Sequence, residues 1–141
     1  MRTRSYDLWY VNESTRGPKS PMQTDVRRRE YLHGIDLFNR GVFFDAHEVL
    51  EDVWRAAPEP EKKFLQGLIQ VAVALHHHSR GNIVGCRSLL ARAQRNLSLY
   101  PSPHQDVNLA ALHRDLLAWI AALEQDRAVP PLPRIGLSKE R

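Results

Sequence analysis

The sequence contains little cysteine, few long apolar segments and no useful stretch of alternating polar and apolar residues. Cys86 is the single cysteine among 141 residues, so the chain forms no internal disulfide and offers no cluster of thiolates to a metal. No stretch approaches the roughly 20 apolar residues of a membrane span, and the N-terminus lacks the apolar core of a signal peptide. We therefore expect a soluble, cytoplasmic protein without a membrane partner.

The charge balance and the short motifs exclude further classes of function. The formal net charge is +4, from 20 basic and 16 acidic residues, and the basic residues are not interleaved with aromatic side chains that would stack on bases. Nucleic-acid binding is therefore not indicated. The chain also lacks the G-x-S-x-G elbow of serine hydrolases and the glycine-rich loops that bind nucleotides.

Helical periodicity runs through the middle of the chain. A length of 141 residues and a hydrophobic content of 43% suffice for one core. The connections between periodic segments are short, which favours antiparallel neighbours and predicts an all-α, compact single-domain bundle of about five helices. The predicted helices cover about residues 25–40, 43–57, 59–80, 82–100 and 106–126.

The two ends of the chain differ from this bundle. Residues 1–24 are polar, broken by glycine and proline, and predict a flexible, extended arm, in which Trp9 and Tyr10 could dock on the body or on a neighbouring chain. Residues 128–141 are rich in proline and predict an extended tail. The bundle domain is thus expected to span residues 25–127, and neither end is expected to carry chemistry.

One packed core is predicted from the apolar faces of the helices, because residues four apart lie on the same face of an α-helix. A β-sheet, or exposure of most of these side chains, would contradict the predicted fold. The residues expected in this core are Phe43, Leu50, Val53, Trp54, Leu68, Ile69, Val71, Leu75, Leu89, Leu90 and Leu97.

The segment FFDAHEVLEDVW, residues 43–54, carries polar residues where a small helical protein needs apolar ones. His47 lies beside Trp54 on the apolar arc of this second helix, and Glu51 follows at the edge of the arc. Glu48 points further toward solvent. A carboxylate on or beside a buried face is costly unless another group satisfies it.

The third helix, FLQGLIQVAVALHHH, is apolar almost all round, with one polar strip. Gln66, Gln70 and His77 fall within about 40° of one another on a helical wheel. His76 lies on another face, and His78 lies opposite both. Because a short hairpin joins the second and third helices, we expect the polar strip of each to face the other and to form a pocket with Trp54.

Three interpretations of this pocket are open: a buried hydrogen-bonded network, a divalent metal site, or wet surface. The metal interpretation compares HEVLE with the H-E-x-x-H signature of zinc proteases. His47 and Glu51 would then be ligands, with His77, or His76 as a substitute, from the third helix and Glu48 as the candidate base. The metal would be zinc, iron or manganese, and the reaction hydrolysis by an activated water. The network interpretation makes the chain a non-enzymatic module whose apolar helix face forms a homo-oligomer.

The runs LFNRGVFFDAHEVLEDVWR, FLQGLIQVAVALHHHSRGN and GCRSLLARA resemble domain-of-unknown-function family 309, small helical proteins of bacteria and archaea with relatives in plants. The resemblance covers about residues 31–100 and implies an all-helical fold. Proteins of this family are sometimes described as predicted metal-dependent hydrolases, and the resemblance does not decide between an enzyme and a structural module. It implies as motif residues His47, Glu48, Glu51, Trp54, Gln66, Gln70 and one histidine of 76–78, for which His77 is preferred.

Overall fold

Five α-helices form the architecture in the computed structural model, which describes residues 25–137. Within that range no strand is formed, and the extended pairing consists of isolated bridges of Val107 with His104 and Leu137. The predicted all-α bundle is therefore confirmed, whereas the predicted arm, residues 1–24, lies outside the described residues. The helices are α1 (Asp25–Asn39), α2 (Phe43–Ala56), α3 (Glu59–Ser79), α4 (Ile83–Leu97) and α5 (Leu109–Glu124).

Local signals in the sequence determine where these helices begin and end. Gly41 has a φ of +82°, a left-handed conformation that ends α1 and that other residues adopt at a cost. α2 ends before Pro58, because the proline ring disfavours a helical conformation of Ala57, which is extended. Pro58 itself precedes α3 in an extended conformation. Asn82 begins α4, where its Oδ1 accepts a hydrogen bond of 2.9 Å from the backbone N–H of Gly85.

Each helix packs against the next one in the chain, and the buried faces share one core. α3 is the longest helix and is buried along both sides, since α2 and α4 flank it. Burial of one large aliphatic side chain contributes about 1.5–3 kcal/mol. The predicted core is confirmed: Phe43, Leu50, Val53, Leu68, Val71, Leu75, Leu90 and Leu97 are buried, and Trp54, Ile69 and Leu89 are partly buried against them. None of the described helices is both long enough and apolar enough to cross a membrane.

Residues 128–137 contain no helix and pack back onto the bundle. The indole Nε1 of Trp119 in α5 donates to the carbonyl of Pro131 at 2.9 Å. The side-chain amide of Asn39, at the end of α1, pairs with the backbone of Ile135, donating at 3.0 Å and accepting at 2.8 Å. Ile135 is fully buried, so this segment belongs to the core. The predicted boundaries between arm, bundle and tail stay predictions.

Substitution of Ile135 by alanine tests whether the C-terminal segment stabilises the bundle. We expect Ile135→Ala to lower the free energy of unfolding by about 2–5 kcal/mol, because it removes a buried side chain and leaves a cavity. Urea denaturation followed by circular dichroism measures the change. Leu132→Ala is the matched control, since Leu132 is 53% exposed and its loss should change stability by less than about 0.5 kcal/mol. A loss of stability in Ile135→Ala as small as that expected for Leu132→Ala would show that the Ile135 side chain contributes little to the core.

Gly67 permits the close approach of α3 and α4. A methyl group on its Cα would lie 2.7 Å from both Cγ and Cδ2 of Leu97, a residue with no exposed surface into which it could move. We expect Gly67→Ala to destabilise the fold by about 1–3 kcal/mol through overpacking. Helix propensity alone would instead stabilise the variant by about 1 kcal/mol. A rise in the urea midpoint of Gly67→Ala would therefore contradict the packing argument.

Candidate functional site

His47 lies one turn into α2 and is partly buried. Its Nδ1 is 2.8 Å from the backbone carbonyl oxygen of Phe44. A carbonyl oxygen can only accept, so Nδ1 donates, and Nε2 of the neutral ring keeps a free lone pair. Histidines that bind metals are commonly oriented by a hydrogen bond of this kind at the other ring nitrogen. The ring is thus held in a fixed orientation with its reactive nitrogen turned away from the backbone.

Three aromatic rings form a surface at the edge of the seam between α2 and α3, which we call the Phe44 surface and define as Phe44, His47 and His76. The centroid of the Phe44 ring lies 5.0 Å from that of His47 and 5.4 Å from that of His76. The Phe44 side chain is 50% exposed. The histidine of α3 that approaches α2 is therefore His76, which the sequence analysis named as the substitute for His77.

The carboxylates of α2 are satisfied along the helix itself or lie in solvent. Glu51 Oε1 is 3.5 Å from Nη2 of Arg55, and Asp52 Oδ1 is 3.0 Å from Nη1 of the same guanidinium. Asp45 and Glu48 are exposed. Arg55 therefore satisfies Glu51, for which a polar partner on α3 was predicted. The exposed carboxylates lie in the same first turns of α2 as Phe44.

The polar strip of α3 faces α4 rather than α2. Gln70 Oε1 accepts a hydrogen bond of 2.9 Å from Nδ2 of Asn96 in α4. His77 Nδ1 lies 3.4 Å from Nδ2 of Asn82, in the turn before α4, and Gln66 is exposed. A helical wheel shows which residues share a face but not which neighbour covers it. The expected meeting of this strip with the polar residues of α2 is therefore corrected by the structure.

The three consecutive histidines at the end of α3 point in three directions. His76 contacts the exposed ring of Phe44, and His77 contacts the turn before α4. His78 lies against Trp119 of α5, with 4.9 Å between ring centroids in an edge-to-face arrangement. Successive residues of a helix are about 100° apart, so the three consecutive histidines contact three different parts of the protein.

Trp54 joins the end of α2 to the start of α3. The Nζ atom of Lys62 lies 4.2 Å from the centroid of the indole ring and donates to the backbone carbonyl of Trp54 at 2.6 Å. A cation at this position stabilises the unpaired carbonyls and the negative end of the helix dipole. Burial lowers the pKa of Lys62, and nearby Glu59 opposes that shift. The indole covers this junction of α2 and α3.

The predicted ligands were tested against the needs of a metal ion, which requires three or more side chains that converge. Within residues 25–137, no three His, Cys, Asp or Glu side chains come together in such an arrangement. His47, Glu51 and His77 face Phe44, Arg55 and Asn82 respectively. These residues therefore do not fit a metal centre built from one copy of the described chain, and their roles as ligands, with Glu48 as base, stay predictions.

Cys86 is fully buried in α4. Burial raises the pKa of its thiol to about 11, which keeps the sulfur protonated near neutral pH. Because the thiolate is the nucleophilic form of cysteine, Cys86 acts as a small core residue.

A second polar cluster, which the sequence analysis missed, anchors the loop between α4 and α5. His104 Nε2 donates to Glu61 Oε1 of α3 at 2.8 Å. The hydroxyl of Tyr100 donates to the carbonyl of Pro60 at 2.7 Å and accepts from the backbone N–H of Phe64 at 3.0 Å. The partners are about 40 residues apart in sequence, so no local spacing could have revealed them.

The same loop is also tied to α1. The buried hydroxyl of Tyr31 donates to the carbonyl of Gln105 at 2.9 Å, and Arg28 forms an ion pair with Asp106. Burial raises the pKa of Tyr31 far above its usual range, and the charge of Arg28 opposes this only in part. Gln105 and Asp106 have φ angles of +46° and +65°, a conformation that non-glycine residues adopt only where their surroundings hold them. These contacts hold the loop against α1. They do not involve the Phe44 surface, which is the exposed part of the predicted site.

Comparison with known proteins shows that part of the chain is similar to a protein family. Residues 31–89 match the model of the Domain of unknown function DUF309. The matched segment contains the whole Phe44 surface and every motif residue named above.

Two relatives were found in bacteria. The chain is 38% identical over 68 residues to the Uncharacterized protein YpuF of Bacillus subtilis (strain 168), which is 48% of this chain and 39% of that protein. It is 34% identical over 76 residues to an Uncharacterized protein of Aquifex aeolicus (strain VF5), which is 53% of this chain and 23% of that protein. The chain thus spans less than half the length of each, and the likeness brings no activity with it. Residues 31–89 are nevertheless similar to DUF309, and the family resemblance predicted from the HEVLE and QGLIQ motifs is confirmed.

Proposed function

We propose that the chain is a non-enzymatic helical interaction module that binds a partner protein at the Phe44 surface. The observation that carries this proposal is the exposure of Phe44. Among residues 25–137 it is the only aromatic side chain in the set of exposed large apolar residues, and it lies in the segment that matches the family model. Aromatic side chains are enriched in the central part of protein interfaces, where a few of them supply most of the binding energy.

Neighbouring groups already hold the rings of the Phe44 surface in the unbound chain. His47 is held by its hydrogen bond to the Phe44 carbonyl, and His76 packs against the other ring from α3. Side chains already held in one conformation lose less entropy on binding, which raises affinity without additional contacts. Burial of the exposed half of Phe44 would add hydrophobic free energy in proportion to the area covered.

The charges beside the surface indicate the chemistry of the partner. Asp45 and Glu48 are exposed, and neither forms an ion pair within the described residues. A partner segment with an apolar side chain flanked by lysine or arginine would therefore match both the phenyl ring and the carboxylates. Charge complementarity of this kind mainly raises the association rate and the specificity. We assign the surface to a basic amphipathic segment of another protein.

Self-association of the chain belongs to the same proposal. Most soluble oligomers are symmetric homo-oligomers, and twofold dimers are the commonest; a homo-oligomer through an apolar helix face was predicted from the sequence. The Phe44 surface is a poor candidate for the contact between copies, because two such surfaces would bring the carboxylates of Asp45 and Glu48 together. Partner binding and self-association are therefore assigned to different faces.

Phe44→Ala tests the proposed binding surface. Tagged full-length chain would be expressed in its native cells, and the proteins retained on it would be quantified by mass spectrometry. We expect Phe44→Ala to lose at least about 90% of a retained partner, because removal of a central aromatic side chain commonly costs 2 kcal/mol or more of binding. Added salt should weaken the retention by wild type, because Asp45 and Glu48 attract the partner.

Leu99→Ala is the matched control, since Leu99 is 65% exposed and lies away from α2, in the loop after α4. It should retain the partner as wild type does. Loss of the partner from both variants, or from neither, would contradict a specific role for the Phe44 surface.

A metal-dependent hydrolase is the second candidate function. It is favoured by one observation, the free Nε2 of His47 on the same helix as Glu51, four residues later. In that case a bound metal would supply Lewis acidity, and ligands beyond the described chain would have to complete the site. Glu48 keeps its predicted role as base only within this second candidate.

Elemental analysis separates the two candidates. We expect full-length protein, produced in medium supplemented with zinc, iron and manganese, to contain none of these metals in stoichiometric amount. Addition of each metal should leave the thermal midpoint unchanged, because a ligand that binds only the folded state would raise it. Stoichiometric metal that disappears in both His47→Ala and Glu51→Ala, with unchanged circular dichroism, would instead favour the hydrolase.

A further inference from the structure

We infer that two copies of the chain associate through the outer faces of α4 and α5, with reciprocal ion pairs between Arg87 and Glu124. The inference rests on the self-association included in the proposed function and names the surface that forms it. A groove of about 280 Å³ runs between these helices. Its lining consists of Val84, Arg87, Ser88, Ala91, Ile120 and Glu124.

The apolar groups along this face are unusually open to solvent. Val84 in α4 is 79% exposed and Leu117 in α5 is 54% exposed. α4 and α5 also share the least extensive contact of the consecutive helix pairs. The residues Val84, Arg87 and Ala91 are spaced three and four apart, as are Leu117, Ile120 and Glu124, so each helix presents one continuous stripe. Two such stripes side by side are the usual form of an interface between helices.

The charges at the groove indicate that its partner is a second copy of the chain. Arg87 comes from α4 and Glu124 from α5, and neither forms an ion pair within the described residues. A twofold axis through the groove exchanges the positions of these two side chains. Each Arg87 would then face the Glu124 of the other copy, so one symmetric contact forms two ion pairs around the apolar stripes.

Other occupants fit the groove less well. A partner segment of one charge sign would meet a like charge on one side of the groove. Residues 1–24 of the chain carry four basic and two acidic side chains, and this basic excess would meet Arg87. A second copy carries both signs in the required arrangement, because the same two residues supply them.

Charge reversal tests the inference on full-length protein by sedimentation equilibrium. We expect wild type to form a dimer, and Arg87→Glu and Glu124→Arg each to raise the dimer Kd by at least about tenfold, since either change opposes like charges twice. The double variant R87E/E124R exchanges the charges and should return the Kd to within about threefold of wild type. Both reversals suit the helix dipole, with an acid near the start of α4 and a base at the end of α5, so helix formation is preserved.

Arg29→Glu is the matched control, because it makes the same charge change at an exposed site on α1 and should leave the Kd unchanged. A wild-type dimer that withstands both single reversals would overturn the surface and leave self-association in place. A wild type that remains monomeric at about 100 µM, well above the Kd of most specific dimers, would overturn both. Recovery of the dimer in the double variant excludes misfolding as the cause of its loss in the single ones. Partner retention at Phe44 is measured separately, because Phe44 lies on another helix and is exposed in each single copy.

Discussion

The burial of α3 between α2 and α4 is the constraint on which the rest of the structure depends. Leu68, Val71 and Leu75 are almost wholly buried, and Gly67 lets Leu97 approach α3 to within a distance that a side chain would prevent. A polar side chain on such a helix must find a partner in a neighbouring helix or reach solvent. Gln70 meets this requirement through Asn96 of α4. The polar strip of α3 is thus used for packing against α4 and is not available to α2.

The HEVLE segment therefore lies at a surface. With no polar partner opposite on α3, the carboxylate of Glu51 pairs with Arg55 one turn along its own helix. His47 donates to the backbone carbonyl of Phe44 and packs against the Phe44 ring, which is half exposed. An exposed phenyl ring is a favourable group only in a complex, because its burial releases the water that surrounds it. This arrangement is better suited to recognition than to chemistry in an enclosed pocket.

The sequence predicted the helices and the core because both follow from local periodicity and from glycine, proline and asparagine signals at helix ends. It predicted the site less well, for a physical reason. Gln70 and His77 do share a face, yet periodicity cannot tell whether α2 or α4 covers it. Contacts between distant residues were also hidden, among them His104 with Glu61 and Ile135 with Asn39. Such pairs depend on the tertiary arrangement. The proline-rich composition of residues 128–141 did not indicate that Ile135 is buried in the core.

The two proposed surfaces are compatible because they lie on different helices. A twofold contact through α4 and α5 would leave Phe44 of each copy exposed, so one dimer would present two identical binding surfaces. Two linked sites bind a partner with paired segments more tightly than one site does, by a factor of about 10² to 10⁴ where the geometry allows both to engage. A modest affinity of each single Phe44 surface for its partner segment would then give tight binding of the whole partner. Dimerisation would in this way convert a small, partly exposed aromatic surface into a specific recognition module.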